Sequence, residues 1–515
     1  MKKSSTVELS KQTTNNKHLL SMKRQSGILL HLTSLPGKYG IGTMGREARA
    51  FVDFMKASGQ KLWQILPLGH TGYGDSPYQC FSAFAGNPLL IDLETLVQSS
   101  LLHQNELPEK EHFPDDQVDY GMVFRYKYEL LGKAYDRFLN KKDQKLKQEF
   151  ERFCKENKKW LEDYALFMAL KDHHEGKPWP EWSQQIKIRE AGALKRYGEY
   201  LAKEIGFYRF LQFVFYHQWL ELKAYANNYN IEIIGDIPLY VAFDSADAWA
   251  NPEIFDFDES LTPRTVAGVP PDYFSATGQL WGNPIYDWKH LEANNFSWWI
   301  DRIEANFLLY DILRIDHFRG LAAYWAVPYG EITAINGKWI DAPGQAMLKA
   351  VYDALGAKPI IAENLGVITP DVEEMREAFN MPGMKILQFA FDSGEENEFI
   401  PHTYDKNSVV YTGTHDNNTT LGWYKESSDQ DKQNVRDYFC FDDNDPAWSF
   451  IRLAWSTVSN VAIAPMQDVL RLGAEARMNF PGKAPGYWKW RYTKDMLTKK
   501  HTEDLFKLTK IYGRL

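Results

Sequence analysis

ILRIDHFRG, residues 312–320, reads as a short strand that runs into a carboxylate at Asp316. A strand interior buries on folding, whereas a charge at its end must stay solvated or be paired. Three other runs end the same way: IIGDIP (233–238) at Asp236, PIIAENLG (359–366) at Glu363, and VVYTGTHDNN (409–418) at Asp416. Four such ends in 515 residues point to one acidic site assembled at the mouth of a barrel.

Working outward, short apolar runs bounded by Gly, Pro or Asp predict strands at Ile28–Leu32, Trp63–Leu68, Ile231–Asp236 and Ile312–Asp316. Four more are predicted at Ile360–Glu363, Ile386–Phe389, Val409–Thr412 and Val461–Pro465. Helical segments separate many of them; Arg46–Ala57, apolar at 48, 51, 52 and 55, is one. Eight strands alternating with helices predict an α/β fold, a (β/α)8 TIM barrel with its site at the C-terminal strand ends.

The uneven spacing adds two insertions. LKQEFERFCKENKKWLEDYALFMALK (146–171) has helical periodicity and predicts a large helical insertion after the second strand, at about 95–205. VAGVPPDYFSATGQLWGNPIYDW (266–288) has too many turn formers for a helix. It predicts an irregular, loop-rich insertion after the third strand, at about 240–300, covering the barrel mouth. Residues 1–22 are expected to form a disordered tail, and 23–515 a single catalytic domain.

Bulk properties narrow the function. The chain is 44% hydrophobic and 25% charged, with net charge −9, so no basic face for nucleic acid is expected. The three cysteines, Cys80, Cys154 and Cys440, are far apart and form no CxxC, which suits a reducing cytoplasm. The N-terminus has no apolar core of a signal peptide, and no apolar run is long enough to span a membrane. Aromatic content of 15% fits large aromatic cores or a groove that stacks flat polar ligands.

The strand-end acids suit glycosidic-bond chemistry. A retaining enzyme needs two carboxylates about 5–5.5 Å apart, one to attack the anomeric carbon and one to protonate the leaving oxygen. A third can hold sugar hydroxyls as the ring flattens. Arg314 lies two residues before Asp316, on the same face of the strand, where it keeps that acid ionised. His317 and His415 adjoin two of the acids and can donate to sugar hydroxyls. A lone strand-end acid is usually a turn former or cap, and metal binding is the main rival for the cluster.

A resemblance then divides the labour. SGILLHLTSLPGKYGIG, WQILPLG, GYGDSPYQCFSAFAGNP, GDIPLYVAFDSADAWA, GVPPDYFSATGQLWGNPIYDW, LRIDHFRGLAAYWAVP, IAENLG, MKILQFAF, YTGTHDNNT and ARMNFPG resemble, in order, the 4-α-glucanotransferase (amylomaltase, disproportionating enzyme) family. That family belongs to the wider α-amylase group of barrels. The resemblance implies Asp316 as nucleophile, Glu363 as general acid/base and Asp416 as transition-state stabiliser. It also implies that Arg314, Asp236, His317 and His415 line the −1 sugar site, and that Tyr78 is a donor-side platform with Asn87 nearby. Asp272, Tyr273 and Phe274 are implied to arch over the groove, Trp281 to form a wall, and Tyr73 to serve a secondary glucan contact. Malto-oligosaccharides, amylose or glycogen-type α-1,4-glucans are the implied partners; no cofactor or metal is required, and the oligomeric state stays open.

Three positions depart from the family pattern. Asn364 stands where IAEDLG is common, Asn418 where HDNDT is common, and Tyr487 lies in GYWKWR where GNWRWR-like strings occur. An α-amylase-type hydrolase is the nearest alternative function, and a non-catalytic glucan-binding protein is another. A nucleotide-binding oxidoreductase is suggested by Gly40-Ile41-Gly42-Thr43-Met44-Gly45, but the second strand ends Leu66-Pro67-Leu68 without the acid that fingerprint needs.

Overall fold

The computed structural model describes residues 22–107, 113–271, 275–394, 396–483 and 486–515. In chain order its first strands are β1 (Gln25–Leu29), β2 (Leu62–Gln64), β3 (Glu232–Ile237), β4 (Thr265–Val269), β5 (Gln279–Pro284) and β6 (Ile312–Ile315). There follow β7 (Ala323–Pro328), β8 (Lys338–Asp341), β9 (Ile360–Ala362), β10 (Gly383–Ile386), β11 (Ser408–Tyr411) and β12 (Val461–Pro465).

A parallel sheet covered on both faces needs strands that bury both sides. β6, β9, β11 and β12 are buried at every residue. Together with β1, β2, β3 and β10 they close a parallel barrel in the order β1-β12-β11-β10-β9-β6-β3-β2. All eight predicted strands therefore exist and form the TIM barrel. Four begin earlier than their apolar runs suggest: β1 and β10 and, by one residue, β2 and β11. β1 and β2 stop at Leu29 and Gln64, and Leu387–Phe389 is a 3-10 turn after β10. The apolar run continues past each strand because the turns at the barrel mouth are buried too, at Leu30, Ile65, Leu66 and Leu387.

The helix Arg46–Ala57 forms as predicted and buries Ala48, Phe51, Val52, Phe54 and Met55. The Gly40–Gly45 turn before it serves packing. A Cβ on Gly42 would stand 1.9 Å from the Leu32 carbonyl oxygen, and one on Gly45 would stand 2.2 Å from the Asp92 carboxylate. After β2 come the helices Tyr120–Asn140, Gln144–Glu156, Lys158–His173, Ala191–Tyr200 and Ala202–Asn227. Asp119 and Asp143 cap the first two by accepting from Met122 and Leu146 N–H. Rings interlock between them, with Phe138 and Phe210 centroids 5.0 Å apart and Phe150 and Phe213 5.7 Å apart. Much of the aromatic content is thus core.

The segment after β3 is more regular than its composition suggests. β4 and β5 pair antiparallel, and with β7 and β8 they form a four-stranded sheet in the order β5-β4-β7-β8. The sequence missed this because β7, the second partner of β4, comes from beyond β6. Gly and Pro look like turn formers until a distant strand pairs with them. Among the described residues no helix is long and apolar enough to cross a membrane.

Candidate active site

Strand register brings the acids together. Asp236 in β3 lies opposite Arg314 in β6, and Ile315 in β6 lies opposite Ala362 in β9. One residue further on, Asp316 and Glu363 are neighbours on the same rim. Asp416 stands in the turn after β11. Gly235 precedes Asp236 because a Cβ there would meet the Tyr310 ring at 2.1 Å.

The cation among these acids is the buried guanidinium of Arg314. One terminal nitrogen donates to both oxygens of Asp236, at 2.8 and 2.7 Å, and the other lies 2.8 Å from Oδ1 of Asp316. Asp236 also accepts the Tyr78 hydroxyl at 2.8 Å. Both of its oxygens are thus engaged. Asp236 lies behind the cleft wall, bordering a separate cavity of about 50 Å³, and serves to hold Arg314 and Tyr78 in place. Asp316 keeps one oxygen on Arg314 and is partly open to the cleft.

Glu363 sits in the opposite regime. It is buried, and its carboxylate accepts the backbone N–H of His317 at 2.7 Å and of Leu365 at 2.9 Å. Burial pushes its pKa up to about 8. Arg314 and the two N–H donors oppose the rise, and the charge of Asp316 adds to it. His317 adopts φ +52°, a left-handed conformation uncommon for a residue with a Cβ. That turn aims its N–H at Glu363 while its ring meets Trp281 edge-on, centroids 4.7 Å apart. Burial lowers the His317 pKa to about 4, so the imidazole is neutral. Its buried Nε2 has no hydrogen-bond partner among the described residues, which leaves it for a ligand hydroxyl.

Asp416 is held from the far side of the cleft. Asn479 donates to its Oδ1 at 2.6 Å, Arg477 donates to its backbone carbonyl at 2.6 Å, and His415 Nε2 lies 3.4 Å from Oδ2. The His415 ring stacks on Tyr78 at 5.2 Å, with Trp488 5.8 Å away.

A cleft of about 230 Å³ opens beside Asp316 and Asp416, while Glu363 and Arg314 lie buried next to its lining residues His317 and Asp316. Of the predicted residues, Tyr78, Trp281, Asp316, His317, His415 and Asp416 line it. Tyr240, Gln279, Asn283, Asn479 and Trp488 line it as well, and the sequence reading gave none of them a role. Gln279, Trp281 and Asn283 share one wall because alternate residues of β5 face one way. A strand assignment there would have found all three from Trp281 alone.

Asn87 stands apart from the cleft. It is buried, caps the turn Pro88–Leu90 by accepting from Leu89 N–H, and donates weakly to Thr71 at 3.4 Å. The backbone of Tyr73 opens the turn Tyr73–Asp75, and its side chain lies outside what is described. Asp272, Tyr273 and Phe274 lie outside the described residues. Asn364 points away from Glu363: it accepts from Met384 N–H at 2.7 Å and donates to Glu373 at 2.7 Å. Asn418 donates to Glu426 at 2.9 Å, and Tyr487 packs near Phe480, centroids 6.3 Å apart.

A parallel barrel with an ion-paired carboxylate beside a buried one, over an aromatic-walled cleft, has the features of an enzyme of glycosidic-bond chemistry. The comparisons refine that class. A family model described as 4-alpha-glucanotransferase matches residues 30–498. A 4-alpha-glucanotransferase of Synechocystis is 52% identical over 496 residues, covering 96% of this chain and 98% of its own. One of Thermus thermophilus is 47% identical over 504 residues, covering 96% and 100%. Among solved structures, the amylomaltase from Streptococcus agalactiae in complex with acarbose is 43% identical with a TM-score of 0.93, covering 96% of this chain and 100% of that one. The chain belongs to the 4-alpha-glucanotransferase family.

Proposed function

We propose that this protein transfers α-1,4-glucan segments to the 4-hydroxyl of an acceptor glucose or glucan, by retaining double displacement. The observation that carries this reading is the contrast between two adjacent acids. Asp316 is paired with Arg314, whereas Glu363 is buried with its pKa raised to about 8.

In the first step Asp316 attacks the anomeric carbon, and the C–O bond to the leaving glucan breaks as Glu363 gives its proton to that oxygen. A β-glucosyl ester on Asp316 results. Esterification removes the Asp316 charge that helps to raise the Glu363 pKa, so Glu363 turns from acid to base. It then takes the proton of an acceptor 4-hydroxyl as that oxygen displaces Asp316. Two inversions give net retention, and one α-1,4 bond replaces another. Asp416, with His415 and His317, holds ring hydroxyls as the sugar flattens. Tyr78 and Trp281 supply flat apolar walls, while Gln279 and Asn479 offer amide groups to hydroxyls. Transfer outruns hydrolysis when an acceptor sugar is held in attack geometry.

Incubation with maltotriose tests this. An expanding ladder of oligomers with glucose is expected; glucose and maltose alone would favour the amylase-type hydrolase. Asp316→Asn is expected to lower kcat by about 10³-fold or more while glucan binding persists. Retained transfer in that variant would refute the nucleophile. A cytoplasmic place for this chemistry suits the three free cysteines.

A further inference from the structure

The turn that carries Asp416 is closed by a side chain from a distant part of the sequence. Asp468 lies just beyond β12, in the short helix Met466–Val469, and is 1% exposed. One of its oxygens accepts the hydroxyls of Thr412 at 2.5 Å and Thr420 at 2.6 Å. The other accepts the backbone N–H of Thr420 at 2.7 Å. Thr412 follows β11 directly, and Thr420 begins the helix Thr420–Glu426. Both ends of the turn 412–420 are therefore pinned to one carboxylate, with His415 and Asp416 between them.

The middle of the turn is held by other means. Asn417 Oδ1 accepts from both the backbone N–H and the hydroxyl of Thr414, each at 2.8 Å. Gln388 donates to the Asn418 carbonyl at 2.9 Å. Arg477 and Asn479 fix Asp416 itself from the side. None of these closes the base. A buried carboxylate is costly to desolvate, and charge-assisted bonds to three donors offset that cost. The same three bonds also set the distance between the turn's two ends.

We propose that Asp468 is a positioning residue for the bond exchange: by closing the turn 412–420 it fixes where the Asp416 carboxylate stands against the reacting sugar. The inference rests on the role given above to Asp416. A misplaced Asp416 costs most where charge develops on the sugar, so the loss falls on kcat more than on KM.

The test is a set of variants assayed for maltotriose disproportionation alongside thermal melting. In Asp468→Ala, kcat falls about tenfold or more while KM stays within about twofold. Asp468→Asn keeps an oxygen for the Thr420 N–H, and its amide donates to hydroxyls that rotate to accept. It brings kcat back to within about threefold of the native value. On an Asp416→Asn background, Asp468→Ala adds less than about twofold, because its effect passes through the Asp416 carboxylate. Native kcat in an Asp468→Ala protein that melts normally would overturn the proposal. So would a full further loss on the Asp416→Asn background. Unchanged kcat in Asp416→Asn alone overturns it by a different route, through the role of Asp416. Should Asp468→Ala fail to fold, Thr412→Val and Thr420→Val each remove one hydroxyl. Loss of kcat at steady KM in either supports the proposal, and native kcat in both overturns it.

Discussion

Glu363 ties activity and stability to the same proton. Its carboxyl is buried, and its raised pKa of about 8 keeps it protonated in neutral solution. The acid step needs that proton, so kcat/KM is expected to decline above about pH 8. Stability follows the linkage sign for a raised acid. The unfolded chain gives up this proton near the ordinary carboxylate value, whereas the fold keeps it up to about 8. The native protein thus loses stability across that window as pH rises. Glu363→Gln has no proton to lose, so its melting temperature should gain on the native one between about pH 5 and 8 and then hold its lead. A constant difference across that range would contradict the buried acid. At this scale the sequence was informative where chemistry leaves a mark at a strand end, as at Asp316, Glu363 and Asp416. It was silent on Trp488 and Tyr240, because an aromatic on a cleft wall has the same composition as one in a core. For Asp236, expected to bind sugar or support the site, both oxygens are engaged by Arg314 and Tyr78, which favours support.

At the scale of elements, Asn364 shows how a departure beside the acid/base is absorbed. Its amide joins β9 to Met384 in β10 and to Glu373 on the helix Pro370–Ala378, where Arg376 also pairs with Glu373 at 2.7 Å. Asn364→Asp sets a second carboxylate against Glu373. It is expected to cost about 1–2 kcal/mol of stability in denaturant unfolding, with kcat changed less than about threefold. A large loss of activity at unchanged stability would mean that Asn364 does reach Glu363. The barrel strands were legible because parallel strands buried on both faces are apolar at nearly every position. Their ends were displaced at β1, β2 and β10 because burial continues into the turns. β4 and β5 were missed for a different reason. β4 is held on its far side by β7, a partner some sixty residues later that local composition does not encode, and β5 pairs in turn on β4.

At the scale of the whole molecule, the barrel seam is where the first and last barrel strands meet. β1 pairs with β12, and Arg514, fully buried, donates to the carbonyls of Gln25, Trp455, Thr457, Ser459 and Asn460. Arg24 adds bonds to Trp455, Thr457, Ser459 and Tyr512 carbonyls from the other side. Arg514→Ala removes five hydrogen bonds and empties a fully buried site at the seam, while Arg24 still reaches Trp455, Thr457 and Ser459; it should lower stability by about 3 kcal/mol. Turnover well below the melting temperature should be unchanged, because the seam bonds lie at the strand starts, away from the cleft. A melting temperature within a degree or two of native would argue that water replaces the guanidinium.

That seam also gives the protein a schedule. During synthesis β1 emerges before the other barrel strands and finds β2 next, but its other neighbour begins only at Val461. Until then the growing chain carries an open sheet with two bare edges, the kind of surface that recruits wrong partners. The helices that follow β2 can begin to pack on one another in the meantime, since Phe138 meets Phe210 and Phe150 meets Phe213 without help from later strands. The acidic rim cannot be complete, because Asp416 awaits its turn and that turn awaits Asp468 from beyond β12. A ribosome-bound chain of this protein is therefore catalytically mute until the segment through Asp468 has emerged, and it gains its cleft and its closed edge together.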